Sequence, residues 1–414
     1  MLSPYRVLDL TDERGQLAGL ILAWLGAEVI AIEPPGGSPT RHRAPFAGDE
    51  HDPDRSLTHW AFNRGKQSVV LDVEGSETDR DTFRSLVAGA DVVIESSGPG
   101  VLDALGLGYR DLAAINPSIV VASITAFGLT GPRRGWAATD LTVWASAGPL
   151  ILTGDDDRPP VRPSVPQAWT HAGAEAAGAI IAALFERGSS GHGQHIDVSA
   201  QQASAQATQS MILTEPMGAT VVTRGAGQIK IGPLLLRLLW PCQDGHVSIT
   251  FLFGSAIGPA TARFMQWMCE KGYCDEATRN KNWVAFGESL ASGAEPVSEF
   301  ERAKDIVTAF CADHTKAELL AGAMERRLLI APVQMIDDVV YAEQFAQRDY
   351  WDDVDGVRFP GAFAKLTGTP LQPPLPPPLL GADTTRILGA AARQPSAPAP
   401  VMPAPTAQIG RAHV

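Results

Sequence analysis

Apolar and polar residues alternate along the first two hundred positions in a way that predicts strand, helix, strand, repeated. Tyr5 to Leu10 reads as a first strand. Leu17 to Leu25 is apolar at helical spacing and is closed by Gly26, a residue suited to the end of a helix. Glu28 to Ile32 is a second strand, stopped by Pro34-Pro35-Gly36-Gly37, and Ser68 to Asp72 is a third. Asp79 to Ala88 predicts a helix. Asp91 to Glu95 and Ser118 to Thr125 are buried-strand patterns, and the Gly98-Pro99-Gly100 turn between them lets Val101 to Leu105 start a helix. Leu141 to Leu152 predicts a helix and then a strand. Gly173 to Glu186 is an alanine-rich helix, Gln194 to Ser199 a strand, and Ala200 to Leu213 a long helix leaving the domain. Repeated β-α-β alternation predicts a parallel sheet covered on both faces, with ligands outside the carboxyl ends of its strands.

From about Thr220 the texture changes. Gly225, Gly227 and Gly232 cluster, and Trp240 to Leu252 carries a hairpin pattern with Asp244-Gly245 at the turn. Ile257 to Lys271, Glu299 to Cys311 and Lys316 to Arg327 follow as helices, which together predict a smaller α+β domain. The organisation expected is a discontinuous large domain, 1–215 plus 330–390, a small domain, 216–329, and a Pro/Ala-rich disordered tail, 391–414. The 414-residue length fits two domains.

Charge and cysteine content narrow the partners. A net charge of −13 disfavours nucleic acid and anionic membrane surfaces. The four cysteines, Cys242, Cys269, Cys274 and Cys311, have neither disulfide-framework nor zinc-site spacing, so reduced thiols are expected. His192 and His195 lack a nearby third ligand, and no metal is expected. With neither a leader pattern nor a long apolar run, a cytoplasmic location is expected. The β-α-β opening has Asp12-Glu13-Arg14-Gly15 where a dinucleotide fingerprint would place GxGxxG, which argues against a dinucleotide there.

Several blocks have recognisable wording: PGVLDALGLGY, INPSIV and SITAFGLTGP between Pro99 and Pro132; LDLTDERGQLAGLILAWLGAEVIAIEPPGG; NRGKQSVVLD; LFERGSSGHGQHIDVSAQQA; and PLLGADTTRIL. In this order they closely resemble the class III CoA-transferases, over roughly residues 4–390. The resemblance implies a Rossmann-like large domain with a smaller α+β domain and two chains interlocked in a dimer. It also implies acyl-CoA chemistry, with coenzyme A entering as the thioester substrate. CoA phosphates call for arginine forks, lysine and free backbone N–H groups. The resemblance places CoA near Arg41, Arg43, Arg64, Lys66, the Gly98-Pro99-Gly100 turn and Arg133-Arg134. Its usual aromatic and arginine before Pro-Gly are Ser97 and Gly98 here.

The family's transferases use one aspartate as nucleophile. Counting from matching blocks places it at Ala168 or Trp169, and no Asp lies between Asp157 and Asp197. The Gly-His-Asp triplet of the family's racemases is Ala138-Thr139-Asp140 here. Standing in the gap are Gln167, His171 and Glu175, spaced by four and so on one helical face. A His-Glu pair at that spacing can orient an imidazole base. Polar residues on an interface helix would have the same pattern. Three readings stay open: a CoA-transferase with a replaced nucleophile, an acyl-CoA racemase, isomerase or hydrolase using His171, and a non-catalytic acyl-CoA-binding subunit of a heteromer.

Overall fold

The computed structural model describes residues 1–48, 50–213, 216–218, 224–231, 234–372, 375–390 and 392–396. Over these, the chain divides into two compact units, one built from 1–151, 161–222 and the residues from 347 onward, the other from 152–160 and 223–346.

The first unit is a six-stranded sheet of β1 (Arg6–Leu10), β2 (Glu28–Glu33), β3 (Gln67–Val70), β4 (Val92–Glu95), β5 (Val120–Thr125) and β6 (His195–Ser199). The order is β3-β2-β1-β4-β5-β6 and every pairing is parallel. Crossovers run through α1 (Gln16–Trp24), α2 (Leu57–Asn63), α3 (Glu77–Val87), α4 (Val101–Ala104), α5 (Tyr109–Ile115), α6 (Asp140–Ala147) and α7 (Ala168–Ser190). After β6 come α8 (Ala200–Gln206) and α9 (Gln209–Ile212). The continuous apolar runs arise because alternate residues of one strand enter different cores. On β4, Val92 and Ile94 join the cluster containing Leu22, Ala172 and Ile180, while Val93 joins Phe83, Val87 and Leu112 on the opposite face. Burial on both faces removes the polar alternation of a half-exposed strand.

The second unit carries a hairpin of β7 (Gln228–Ile231) and β8 (Leu234–Arg237), then β9 (Leu239–Cys242) and β10 (Gly245–Ile249). Next come α10 (Gly258–Glu270), α11 (Glu276–Arg279), α12 (Phe286–Ser292), α13 (Val297–Ala312), α14 (Lys316–Arg326), β11 (Ile330–Pro332), α15 (Ile336–Tyr341) and α16 (Glu343–Gln347). Its core is aromatic, with Trp240, Phe251, Trp283, Phe300 and Phe310 all buried. The chain returns to the first unit for β12 (Trp351–Val354), β13 (Val357–Pro360) and α17 (Thr384–Leu388).

Several expectations need correction. The boundary at 330 falls on β11, which pairs with β10 and completes the order β11-β10-β9, so the second unit runs on to 346. Residues 152–160 also belong to it. Ala200 to Leu213 forms two short helices, α8 and α9, and Pro149–Leu152 is a 3-10 turn where a strand was expected. Cys269 and Cys274 are joined as a disulfide, not reduced thiols: the turn after α10 brings their Cα atoms to 4.6 Å, within bridging range. Most of the segment read as a disordered tail lies outside the described residues. Among the described residues, no helix is long and apolar enough to cross a membrane.

Candidate functional site

Two neighbourhoods of the first unit carry candidate chemistry. At the carboxyl ends of β1 to β4, where the strand order reverses between β1 and β4, lies a cavity of about 270 Å³. Such a switch point is where parallel sheets bind ligands. Leu10, Ile32, Leu71 and Val73 supply apolar lining, and Asp12, Arg14, Asp72, Glu74, Ser96 and Ser97 supply polar lining. Arg14 grips Asp12 through Nε at 2.8 Å and Nη2 at 2.6 Å. Burial opposes ionisation of Asp12, but the Arg14 hydrogen bonds and charge hold its carboxyl below the ordinary range. Glu95, buried at the end of β4, accepts the Ser97 N–H at 2.7 Å. Burial pushes its carboxyl up, against the pull of Ser123, Ser97 and Arg14. None of these acids was singled out by sequence reasoning, although Asp12 and Asp72 both follow strand patterns.

Most cations expected to meet CoA phosphates are committed elsewhere. Arg41, on the 3-10 turn Pro39–His42, is fully buried. It donates to Glu33 at 2.6 and 2.8 Å, to Asp54 at 2.7 Å and to the Pro378 carbonyl at 3.1 Å. Burial penalises the Glu33 charge, yet Arg41, with help from Ser68 and Ser38, brings its pKa down to about 2. Lys66 is buried and donates to Asp9 at 2.8 Å and to the Gln16 carbonyl at 3.0 Å. Gly19 makes room for this pair, since a Cβ there would lie 2.2 Å from Asp9 Oδ2. Arg64 sits between the Trp24 and Phe359 rings, at 5.5 and 4.9 Å, and donates to Asp352 and the Pro360 carbonyl. Burial pulls its pKa down, against the charge of Asp352. Arg41, Arg64 and Lys66, expected to face phosphates, instead donate to internal acceptors here. Arg43 is exposed but paired with Glu13.

The glycine turn also differs from expectation. Gly98 and Gly100 take φ of 109° and 80°, which accounts for glycine there, but α4 beyond is a single turn, too short to concentrate a helix dipole. Arg133 remains an exposed cation, its guanidinium 5.1 Å from the Trp136 ring.

The second neighbourhood is the start of α7. Asp140, opening α6, directs Oδ1 at three backbone N–H groups: Gln167 at 2.9 Å, Ala168 at 2.7 Å and Trp169 at 3.5 Å. A carboxylate at the positive end of a 23-residue helix is favourably placed as its cap. Gln167 is the N-cap residue, and its side-chain amide donates to the Val165 carbonyl. Trp169 is buried, 8% exposed. His171, half-buried, stacks on Trp144 of α6 at 5.6 Å. Asp140, Gln167 and His171 thus come together. Glu175 does not join them as expected: it is exposed, and no hydrogen bond or ion pair links it to His171. Among the described residues, no cluster of acidic, His or Cys side chains is placed to hold a metal.

The comparisons agree with this architecture. A sequence model described as CoA-transferase family III matches residues 2–384. Succinyl-CoA:(R)-benzylsuccinate CoA-transferase subunit BbsE of Thauera aromatica is 32% identical over 372 residues, 87% of each chain. Succinate–glutarate CoA-transferase of Agrobacterium fabrum is 29% identical, covering 94% of each. A solved CAIB/BAIF family protein from Brucella suis superposes with a TM-score of 0.79 at 27% identity, over 94% of this chain and 98% of that one. The match covers the parallel sheet, the start of α7 and the second unit alike, and on it the chain belongs to CoA-transferase family III.

Proposed function

We propose that this chain binds an acyl-CoA thioester and takes part in CoA transfer between carboxylic acids without supplying the covalent carboxylate from α7. The observation that carries this reading is the buried Trp169 at the start of α7, beside an Asp140 already accepting three backbone N–H groups. In the aspartyl route, a carboxylate oxygen attacks the thioester carbonyl, forming an anhydride and releasing the CoA thiolate. That thiolate then attacks the protein carbonyl and releases the donor acid, leaving an enzyme–CoA thioester. Indole cannot take the first role, and Asp140 could do so only by giving up its cap. The covalent step then falls to a second, related subunit. The relative named as a subunit of a succinyl-CoA:(R)-benzylsuccinate CoA-transferase supports such an assembly. The interlocked arrangement implied by the resemblance would serve a homodimer or a heteromer equally.

A second reading rests on His171, whose ring nitrogens have no hydrogen-bond partner among the described residues while its face is held against Trp144. Such an imidazole is free to accept an α-proton from a bound thioester or a proton from water.

The chain should be incubated, alone and with a related subunit that carries the family aspartate, with acyl-CoA esters and labelled acceptor acids in deuterated water. Mass spectrometry then follows CoA exchange, α-deuterium uptake and hydroxylamine-trapped carboxyl groups. Thioester binding without exchange by the chain alone, and exchange once the second subunit is added, is expected. A hydroxamate at Asp140 or Glu175 of the isolated chain would overturn the proposal. Deuterium uptake lost in His171→Ala would favour the second reading.

A further inference from the structure

We infer that His195, Ser123 and Glu95 form a proton relay, a site apart from α7 that carries a proton between water and a buried carboxyl at the carboxyl end of β4. The relay stands on these residues alone and does not depend on the proposed function.

Three adjacent strands place the groups. Ser123 of β5 pairs in register with Glu95 of β4 on one side and with Asp197 of β6 on the other. Residues paired in register point to one face, on strands about 4.8 Å apart. His195, two residues before Asp197, shares that face. Ser123 Oγ lies 2.9 Å from His195 Nε2 and also bonds the Glu95 carboxylate. Glu95 and Ser123 are 3% and 4% exposed, whereas His195 is exposed at the start of β6 and opens the row to water. Tyr109 of α5 stacks on the imidazole at 5.2 Å, and its hydroxyl donates to the Gly193 carbonyl at 3.3 Å. The charged groups around the row are Asp197 and Asp103, which act on the imidazole, and Arg14, which acts on Glu95. Both oxygens of Asp197 accept the Leu129 N–H at 3.0 Å.

A serine hydroxyl has one proton to give. When Glu95 is ionised, that proton goes to the carboxylate, so Ser123 accepts from His195. The imidazole then carries its hydrogen on Nε2 and leaves Nδ1 bare. Protonation of Glu95 reverses the row. Nδ1 takes a proton from water, Nε2 gives its proton to Oγ, and Oγ gives its own to the carboxylate. One proton enters, one carboxylate is neutralised, and the imidazole ends neutral as the other tautomer. Burial pulls the His195 pKa down, against Asp197 and Asp103, and pushes that of Glu95 up, against Ser123, Ser97 and Arg14. The two proton affinities are brought closer together, as transfer between them requires. Ser96 and Ser97 line the cavity at the strand ends, so the relay ends beneath it.

Nitrogen-15 NMR of the full chain labelled at histidine tests the inference, with the His195 signals assigned by their loss in His195→Gln. Between about pH 8 and about pH 5 the neutral imidazole should pass from mostly Nε2–H to mostly Nδ1–H. The midpoint should coincide with titration of the carbon-13-labelled Glu95 carboxyl, assigned by its loss in Glu95→Gln. In Ser123→Ala and in Glu95→Gln the conversion should be absent, because one group of the row can no longer pass a proton. A serine and a histidine that merely satisfy a buried acid would keep one tautomer throughout. A single tautomer in the unmodified chain, or a conversion that survives either substitution, would overturn the inference. The titration of the unmodified chain decides alone if a variant fails to fold.

Discussion

Replacing Arg41 with Met separates a structural cation from a ligand-binding one. Arg41 and Glu33 have side chains 1% and 3% exposed and meet at 2.6 Å. Removing one partner of a buried pair leaves an uncompensated charge, at a cost of about 3–5 kcal/mol. Glu33 also accepts from Ser68 at 2.7 Å and Ser38 at 3.0 Å, which argues for the lower end, about 3 kcal/mol. Against a total stability of about 5–15 kcal/mol, guanidinium denaturation would register that as a lower midpoint. The pH dependence supplies a second signature. In the native chain Glu33 lies near 2, below its ordinary 4.5, so its contribution is complete above 4.5 and fades as pH falls toward 2. In the variant burial is opposed only by the Ser68 and Ser38 hydrogen bonds and Glu33 rises, so protonation relieves the penalty. The deficit should then shrink between pH 7 and pH 4. Adding Glu33→Leu should restore at least half of the loss, because an apolar pair of similar volume tolerates that site. A midpoint unchanged in Arg41→Met, with acyl-CoA affinity lost, would refute this reasoning and return Arg41 to the ligand site.

Two further outcomes are expected. His59 is held at about 3 by burial and by the charge of Arg41, so the unfolded chain binds more protons below 6.5 and stability should fall as pH drops from 6.5 toward 3; His59→Asn should flatten that slope, and a parallel slope in both proteins would locate the acid sensitivity elsewhere. Phe185 on α7 is 84% exposed, an apolar ring suited to an interface between chains; Phe185→Glu should weaken self-association in sedimentation while leaving the circular dichroism intact, and unchanged assembly would count against α7 as the dimer face.

The parallel sheet was legible because its signal is local. Six short apolar runs separated by turn residues can be placed without knowing what packs on them, and all six strands occur where the pattern put them. Elements defined by distant partners were not legible in this way. Ile330–Pro332 is three residues long and becomes a strand only through its pairing with Val247 to Ile249. The run from Ala200 to Leu213 has helical composition throughout, yet it breaks between Gln206 and Gln209, where no Gly or Pro announces the break.

Charges were misread for a related reason. Arg41 follows β2, while Arg64 and Lys66 lie between α2 and β3, and sequence spacing does not distinguish a cation facing solvent from one facing an acid. For Arg64 the decisive acid is Asp352, 288 positions away. For Arg41 a clue was available: Glu33, eight residues earlier, ends a strand whose middle, Val29 to Ile32, is apolar, and a buried acid there needs a buried cation.

The start of α7 is satisfied from a distant element. What α7 requires at that point is satisfaction of its first N–H groups, and Asp140 provides it from a different helix, 27 to 29 residues away in sequence. The residue at position 169 carries no capping duty, and its indole packs into the core. On the proposed reading, cap and nucleophile are separable functions, so the architecture of the family can persist in a chain that leaves the covalent step to a partner.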